Sequence, residues 1–218
     1  KSAGSSAAFA VSCGMAIRAE FLATGSELLG PRKVDRNSLL LSERLLRLGI
    51  RLAQKSVVGD RSSDIVRAVR EAVRRADVLF VSGGLGPTED DLTVAALSKA
   101  LHLPLRFNRA ACRWIEQCVG VERARRANLK KQAFVPRGFT SLRNRRGTAP
   151  GLWGVVCAGS KKCAVAVLAG VPYEFEKLLL EEIAKCHGVQ SAPQSITLGT
   201  GWLFRESARV SPRPGRSG

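Results

Sequence analysis

The sequence predicts a three-layer α/β/α sandwich around a mainly parallel sheet. Two observations carry that expectation. Apolar strand candidates alternate with amphipathic helix candidates along most of the chain, the pattern of a sheet covered on both faces by helices. One strand candidate, Asp77 to Ser82, also runs straight into the glycine-rich turn Gly83-Gly84-Leu85-Gly86-Pro87-Thr88 and then into a helix start. A strand, a tight turn and a helix N-terminus form the junction at which α/β proteins bind anions.

The elements follow in order. Ile17 to Ala23 is a strand candidate ending in the loop Thr24-Gly25. Asn37 or Ser38 can cap a helix whose apolar positions Leu39, Leu40, Leu41, Leu45, Leu46 and Leu48 make one broad stripe, with Gly49 as its stop. Ile50 to Val58 is a second strand. Ser62 or Ser63 begins a helix through Arg75, with Ile65, Val66, Val69 and Val73 on its inner face. After the strand at Asp77 to Ser82, helices are expected near Asp90–Leu101, Arg109–Val119 and Glu122–Ala127. Strands are expected near Ala133–Val135, Gly151–Val156 and Ala164–Leu168, and Pro172 opens a closing helix from Tyr173 to Cys186. Residues 15–187 therefore make one domain. Residues 1–14, small and polar before the only methionine, read as a disordered leader, and residues 188–218 read as a disordered or aberrant tail.

A net charge of +17 over 218 residues invites a nucleic-acid reading. The distribution argues against it. Arginines are spread over helix faces (Arg44, Arg47, Arg67, Arg70, Arg74), aromatic residues are 6% of the chain, and no stacking platform is interleaved with the densest basic stretch, residues 123–146. A field that draws in anionic small molecules is the more economical reading. The six cysteines show no metal-ligand spacing and only two histidines accompany them, so zinc is not expected. Reduced thiols and the absence of any membrane-length apolar run predict a cytoplasmic protein.

The chemistry concentrates in Val81 to Thr93. Amides freed by the turn and the positive end of a helix dipole would converge on one phosphate. Two adjacent carboxylates there, Asp90 and Asp91, would repel a phosphate unless a divalent cation lay between them. Mg²⁺ suits that role, with Mn²⁺ or Co²⁺ as alternatives. A second explanation needs no ligand: Thr88 with Asp91 three residues on has capping-box character, and acids complement the helix dipole.

The motif Gly-Gly-Leu-Gly-Pro-Thr-x-Asp-Asp-x-Thr resembles that of the CinA family's N-terminal domain, a relative of the molybdopterin-binding MogA/MoaB domain. Thr24-Gly25-Ser26-Glu27-Leu28-Leu29 with Val34-Asp35-Arg36-Asn37-Ser38 is similar to that family's first loop. So are Val57 to Asp60, Asn128 to Ala133, Asn144 to Gly151 and Leu168 to Glu174 to its later segments, in order, from about Ile17 to Lys185. Three positions depart: Arg36 stands where the family usually has Thr, Ala169 where it has Pro, and Phe175 where Met is common. The resemblance implies a MogA-like fold, a homo-oligomer (dimer or trimer), and a small-molecule ligand, pterin or nucleotide. It also implies an ADP-ribose pyrophosphatase activity, and a chain ending before the family's C-terminal amidohydrolase domain.

On that reading Asp90 and Asp91 hold the metal. Glu27, Asp35 and Asp91 serve catalysis. Gly83, Gly84, Gly86, Thr88, Asn37, Asn128, Gln132, Asn144, Gly147 and Thr148 contact the nucleotide. Simpler roles compete at several of these: Asp35 and Asn37 can be an Asx-turn and an N-cap, and Asn128 and Gln132, four apart on a helix, can simply face solvent. The alternative to hydrolysis is a domain that binds molybdopterin or a nucleotide without turning it over.

Overall fold

The computed structural model describes residues 17–183, so the expected leader and tail lie outside the described residues. Strands β1 (Ala19–Thr24), β2 (Leu52–Val58) and β3 (Val78–Ser82) alternate with helices α1 (Arg36–Leu46) and α2 (Ser62–Arg75). Then follow α3 (Thr93–Leu101), β4 (Leu105–Phe107), α4 (Arg109–Val119), α5 (Val121–Ala124), α6 (Ala127–Lys130) and β5 (Phe134–Pro136). The chain continues with β6 (Thr140–Leu142), β7 (Gly151–Ala158), β8 (Lys161–Leu168) and α7 (Pro172–Lys177), which runs on into a π-helical turn, Leu178–Glu182.

Six strands form one sheet in the order β2-β1-β3-β8-β7-β6. The first four are mutually parallel, whereas β7 is antiparallel to both β8 and β6. The interior strands β1 and β3 are buried on both faces, and their alternation divides the core. Leu22, Leu79 and Val81 face α2 and α3, packing with Ile65, Val69, Val73 and Leu97. Phe21, Ala23, Val78 and Phe80 face α1 and α7, packing with Leu41, Leu45, Phe175 and Leu179. This is the α/β/α sandwich that the strand–helix alternation predicts. Cys163 lies at its centre, where burial pushes the thiol up to about 12, so it is an inert apolar residue at neutral pH.

The differences from the sequence-based expectations are local. The N-cap of α1 is Asp35, whose Oδ1 accepts from the Ser38 amide at 3.0 Å, and not Asn37 or Ser38. The N-cap of α2 is Arg61, with no side-chain cap. Helix α3 begins at Thr93 and not near Asp90, because residues 88–91 close a turn of their own. The segment expected as one helix at 122–127 is two single turns, α5 and α6. Strands β4 and β6 have three residues each, too few to show an alternation in the sequence. No helix among the described residues is long and apolar enough to cross a membrane.

Candidate functional site

The carboxyl ends of β1, β3 and β8 open into a cleft of about 980 Å³. Its walls are the loop after β1, the glycine-rich loop after β3, the segment Ala169–Glu174 after β8, and Gln132, Thr148 and Ala149. Parallel strands end together here, which is why an open α/β sheet places ligands at this edge.

A buried polar network makes the floor. Asn37, in the first turn of α1, donates from Nδ2 to Ser82 Oγ and to the Gly170 carbonyl, both at 2.8 Å. The Ser82 hydroxyl in turn donates to the Ala169 carbonyl at 3.3 Å. Thr24 Oγ1 lies 2.9 Å from Thr93 Oγ1 and 3.3 Å from the Ser82 carbonyl. The first residue of α3 is thereby tied to the ends of β1 and β3. Because both hydrogens of the Asn37 amide are committed to protein acceptors, its Oδ1 is fixed as the remaining group, and it is buried without a partner.

The glycine-rich loop leaves β3 through two left-handed residues, Gly83 (φ +105°) and Gly84 (φ +62°). A Cβ on Gly83 would run into the Thr24 carbonyl, and one on Gly84 into Thr93 Oγ1. Both positions therefore demand glycine on conformation and on space. The loop is then held from three sides. Asp91 Oδ2 accepts from the Thr88 amide at 2.9 Å and the Thr88 hydroxyl at 2.6 Å. Lys131 Nζ donates to the Thr88 and Asp91 carbonyls, and Gln132 Nε2 donates to the Leu85 carbonyl at 3.0 Å. So braced, the loop leaves the amides of Gly84, Leu85 and Gly86 without an acceptor among the described residues.

Six carboxylates line the cleft, and five of them already have partners. Glu27 pairs with Lys33 at 2.8 Å; Asp35 caps α1. Asp60 accepts from the Ser26 amide at 2.8 Å while its own amide donates to Ser26 Oγ. Asp91 holds Thr88, and Glu174 accepts from Asn144 Nδ2 at 2.6 Å. Asp90 alone is exposed and unpartnered among the described residues. No three His, Cys, Asp or Glu side chains converge on a metal position among the described residues. Arg32 and Arg36 bring unpaired guanidinium groups to the same rim.

The residues singled out in the sequence thus fall into three groups. Glu27, Asp35, Asn37, Gly83, Gly84, Gly86, Asp90, Asp91, Gln132 and Thr148 all line the cleft. Thr88, Asn144 and Gly147 stand behind it: Thr88 serves Asp91, and Asn144 accepts from the Arg146 and Gly147 amides while bonding the Ala149 carbonyl. Asn128 does not reach the cleft. It is exposed on α6 with Oδ1 turned to the Leu129 amide, and it shares no face with Gln132, because the chain changes to a 3-10 turn at Lys131. Thr24, Asp60, Ser82, Thr93 and Glu174 were missed as site residues. Thr24, Asp60, Thr93 and Glu174 sit in family-like segments, which was the available signal; nothing in the sequence marks the buried Ser82 hydroxyl.

The family model described as "Probable molybdopterin binding domain" matches residues 20–186, and the chain belongs to this family. Its relatives include CinA-like proteins. A "CinA-like protein" of Acidobacterium capsulatum is 41% identical over 168 residues, covering 75% of this chain and 40% of that protein. The chain spans about 40% of the length of such curated relatives. The crystal structure of CinA from Thermoplasma acidophilum, described as of unknown function, is 34% identical, covers 74% of this chain and 94% of that one, and superposes with a TM-score of 0.67. The tungsten cofactor synthesizing protein MoaB of Pyrococcus furiosus is 17% identical over 76% of this chain and 89% of its own, with a TM-score of 0.51, and shares the fold.

Proposed function

We propose that the cleft binds a phosphorylated pterin or nucleotide, and that binding without hydrolysis is this domain's role. One observation carries the reading. The loop after β3 is braced by Asp91, Lys131 and Gln132 with three of its amides left unbonded, beside the unpaired Arg32 and Arg36. Amides fixed in this way, ahead of a helix start, suit a phosphate without reorganisation on binding. The family description supports a pterin. The resemblance adds a homo-oligomer, dimer or trimer, and the reduced thiols a cytoplasmic location.

ADP-ribose hydrolysis is the second reading, favoured by Asp90 and the unengaged Oδ1 of Asp91 on one loop. A Mg²⁺, Mn²⁺ or Co²⁺ ion held by those two residues would lower the pKa of a water and neutralise phosphate charge. Against it, five of the six cleft carboxylates are committed to protein donors.

Calorimetry of the full chain with AMP and with molybdopterin, in EDTA and then in Mg²⁺, tests the proposal, together with analysis of ADP-ribose incubations for AMP. Metal-independent binding without product is the expected result. AMP release that needs Mg²⁺ and disappears in Asp90→Asn would replace it with the hydrolytic reading.

A further inference from the structure

A second concavity, of about 620 Å³, lies at the opposite end of the sheet from the cleft. It is bounded by α2, the C-terminus of α3, Arg137 and residues 155–158 at the end of β7. Those β7 residues pair with the start of β8, whereas the cleft begins beyond its last residue, Leu168. Val73, Leu103 and Val156 give the concavity an apolar floor. Arg70, Arg74 and Arg137 stand around it, and no carboxylate among the described residues lines it.

The three arginines are not equivalent. Arg70 Nε donates to the Ala100 carbonyl at 3.2 Å, and an Nη lies 3.3 Å from His102 Nε2, closing the left-handed end of α3. Arg70 therefore belongs to the fold. Arg74 and Arg137 are exposed and have no side-chain acceptor among the described residues. A neighbouring groove over the same helix adds Lys99, Glu71 and Arg67, the last paired with Asp64 at 3.1 Å. Within the concavity Arg74 and Arg137 face no lining carboxylate among the described residues; like charges repel, and an anion between them relieves that repulsion while matching their bidentate geometry.

We propose that this concavity is an anion site separate from the cleft, taking a small organic phosphate. Two free guanidiniums match the two charges of a phosphate monoester. The apolar floor takes the body of the molecule, and the volume falls within the range of small-molecule sites.

Cys157 lines the concavity and is exposed, so it reports occupancy. In the full chain, alkylation of Cys157 by iodoacetamide is followed by peptide mass spectrometry with and without AMP. Ionic strength is matched with chloride, so that screening alone changes nothing. Rates are compared with and without AMP within each protein, because losing an arginine also changes the thiol's own reactivity. AMP should slow the wild-type reaction about tenfold at ten times its dissociation constant. The slowing should vanish in Arg74→Ala/Arg137→Ala, return partly in Arg74→Lys/Arg137→Lys, and persist in Arg36→Ala, whose change weakens AMP binding in the cleft. No slowing in the wild type, or equal slowing in the double alanine variant, overturns the site. Protection by a single-stranded oligonucleotide where AMP gives none also overturns it, and would make this face a polyanion surface.

Discussion

On the floor of the cleft, Thr24, Asn37, Ser82 and Thr93 are buried and bonded to one another or to the ends of β1, β3 and β8. On the rim, Glu27, Arg32, Lys33, Arg36 and Asp90 are exposed, and only Glu27 and Lys33 pair with each other. The floor cannot change without disturbing the sheet, because each of its groups satisfies a buried partner that would otherwise be orphaned. The rim can change freely, because water already solvates it. On the proposed function, the fold fixes where a ligand's phosphate lies, and the rim decides which ligand and which chemistry follow.

Substitutions should separate the two regions by size of effect. Gly84→Val combines a left-handed backbone with a collision at Thr93, and should cost about 3 kcal/mol of stability, read as a fall in the urea midpoint. Asn37→Ala strands Ser82 and the Gly170 carbonyl and should cost about 2 kcal/mol by the same measurement. Asp91→Ala frees Thr88 and should cost about 1 kcal/mol, similar to losing a helix cap. Arg36→Ala and Asp90→Asn should each stay within about 0.5 kcal/mol of wild type. Arg36→Ala should nevertheless weaken AMP binding about fivefold, the worth of one partly exposed ion pair. Rim variants as destabilising as floor variants would erase the distinction.

The sequence made the glycine-rich loop and the rim residues Glu27, Arg36 and Asp90 legible, but of the floor only Asn37. Gly83, Gly84 and Gly86 stood out because three glycines after an apolar strand are rare without a conformational reason. Asp90 and Asp91 stood out as charges, and the sequence left their two explanations open; the contacts divide them, giving Asp91 to Thr88 and leaving Asp90 unengaged. Thr24, Ser82 and Thr93 looked like ordinary strand-end or helix-start hydroxyls, since their pairing spans 58 and 69 residues of chain. Asn128 misled for the opposite reason: a spacing of four implies a shared face only if the helix continues, and it stops at Lys130. The strand–helix alternation gave the layers, while the antiparallel β7 and the three-residue β4 and β6 lay below what periodicity resolves.

The central claim, that a phosphate is held by the braced loop after β3, is tested most directly by amide NMR of the full chain titrated with AMP in EDTA. The account predicts saturable shifts of the Gly84, Leu85 and Gly86 amides, larger than those of any other residues lining the cleft. Amides of Gly83 to Asp91 that stay unmoved while AMP binds elsewhere would contradict it.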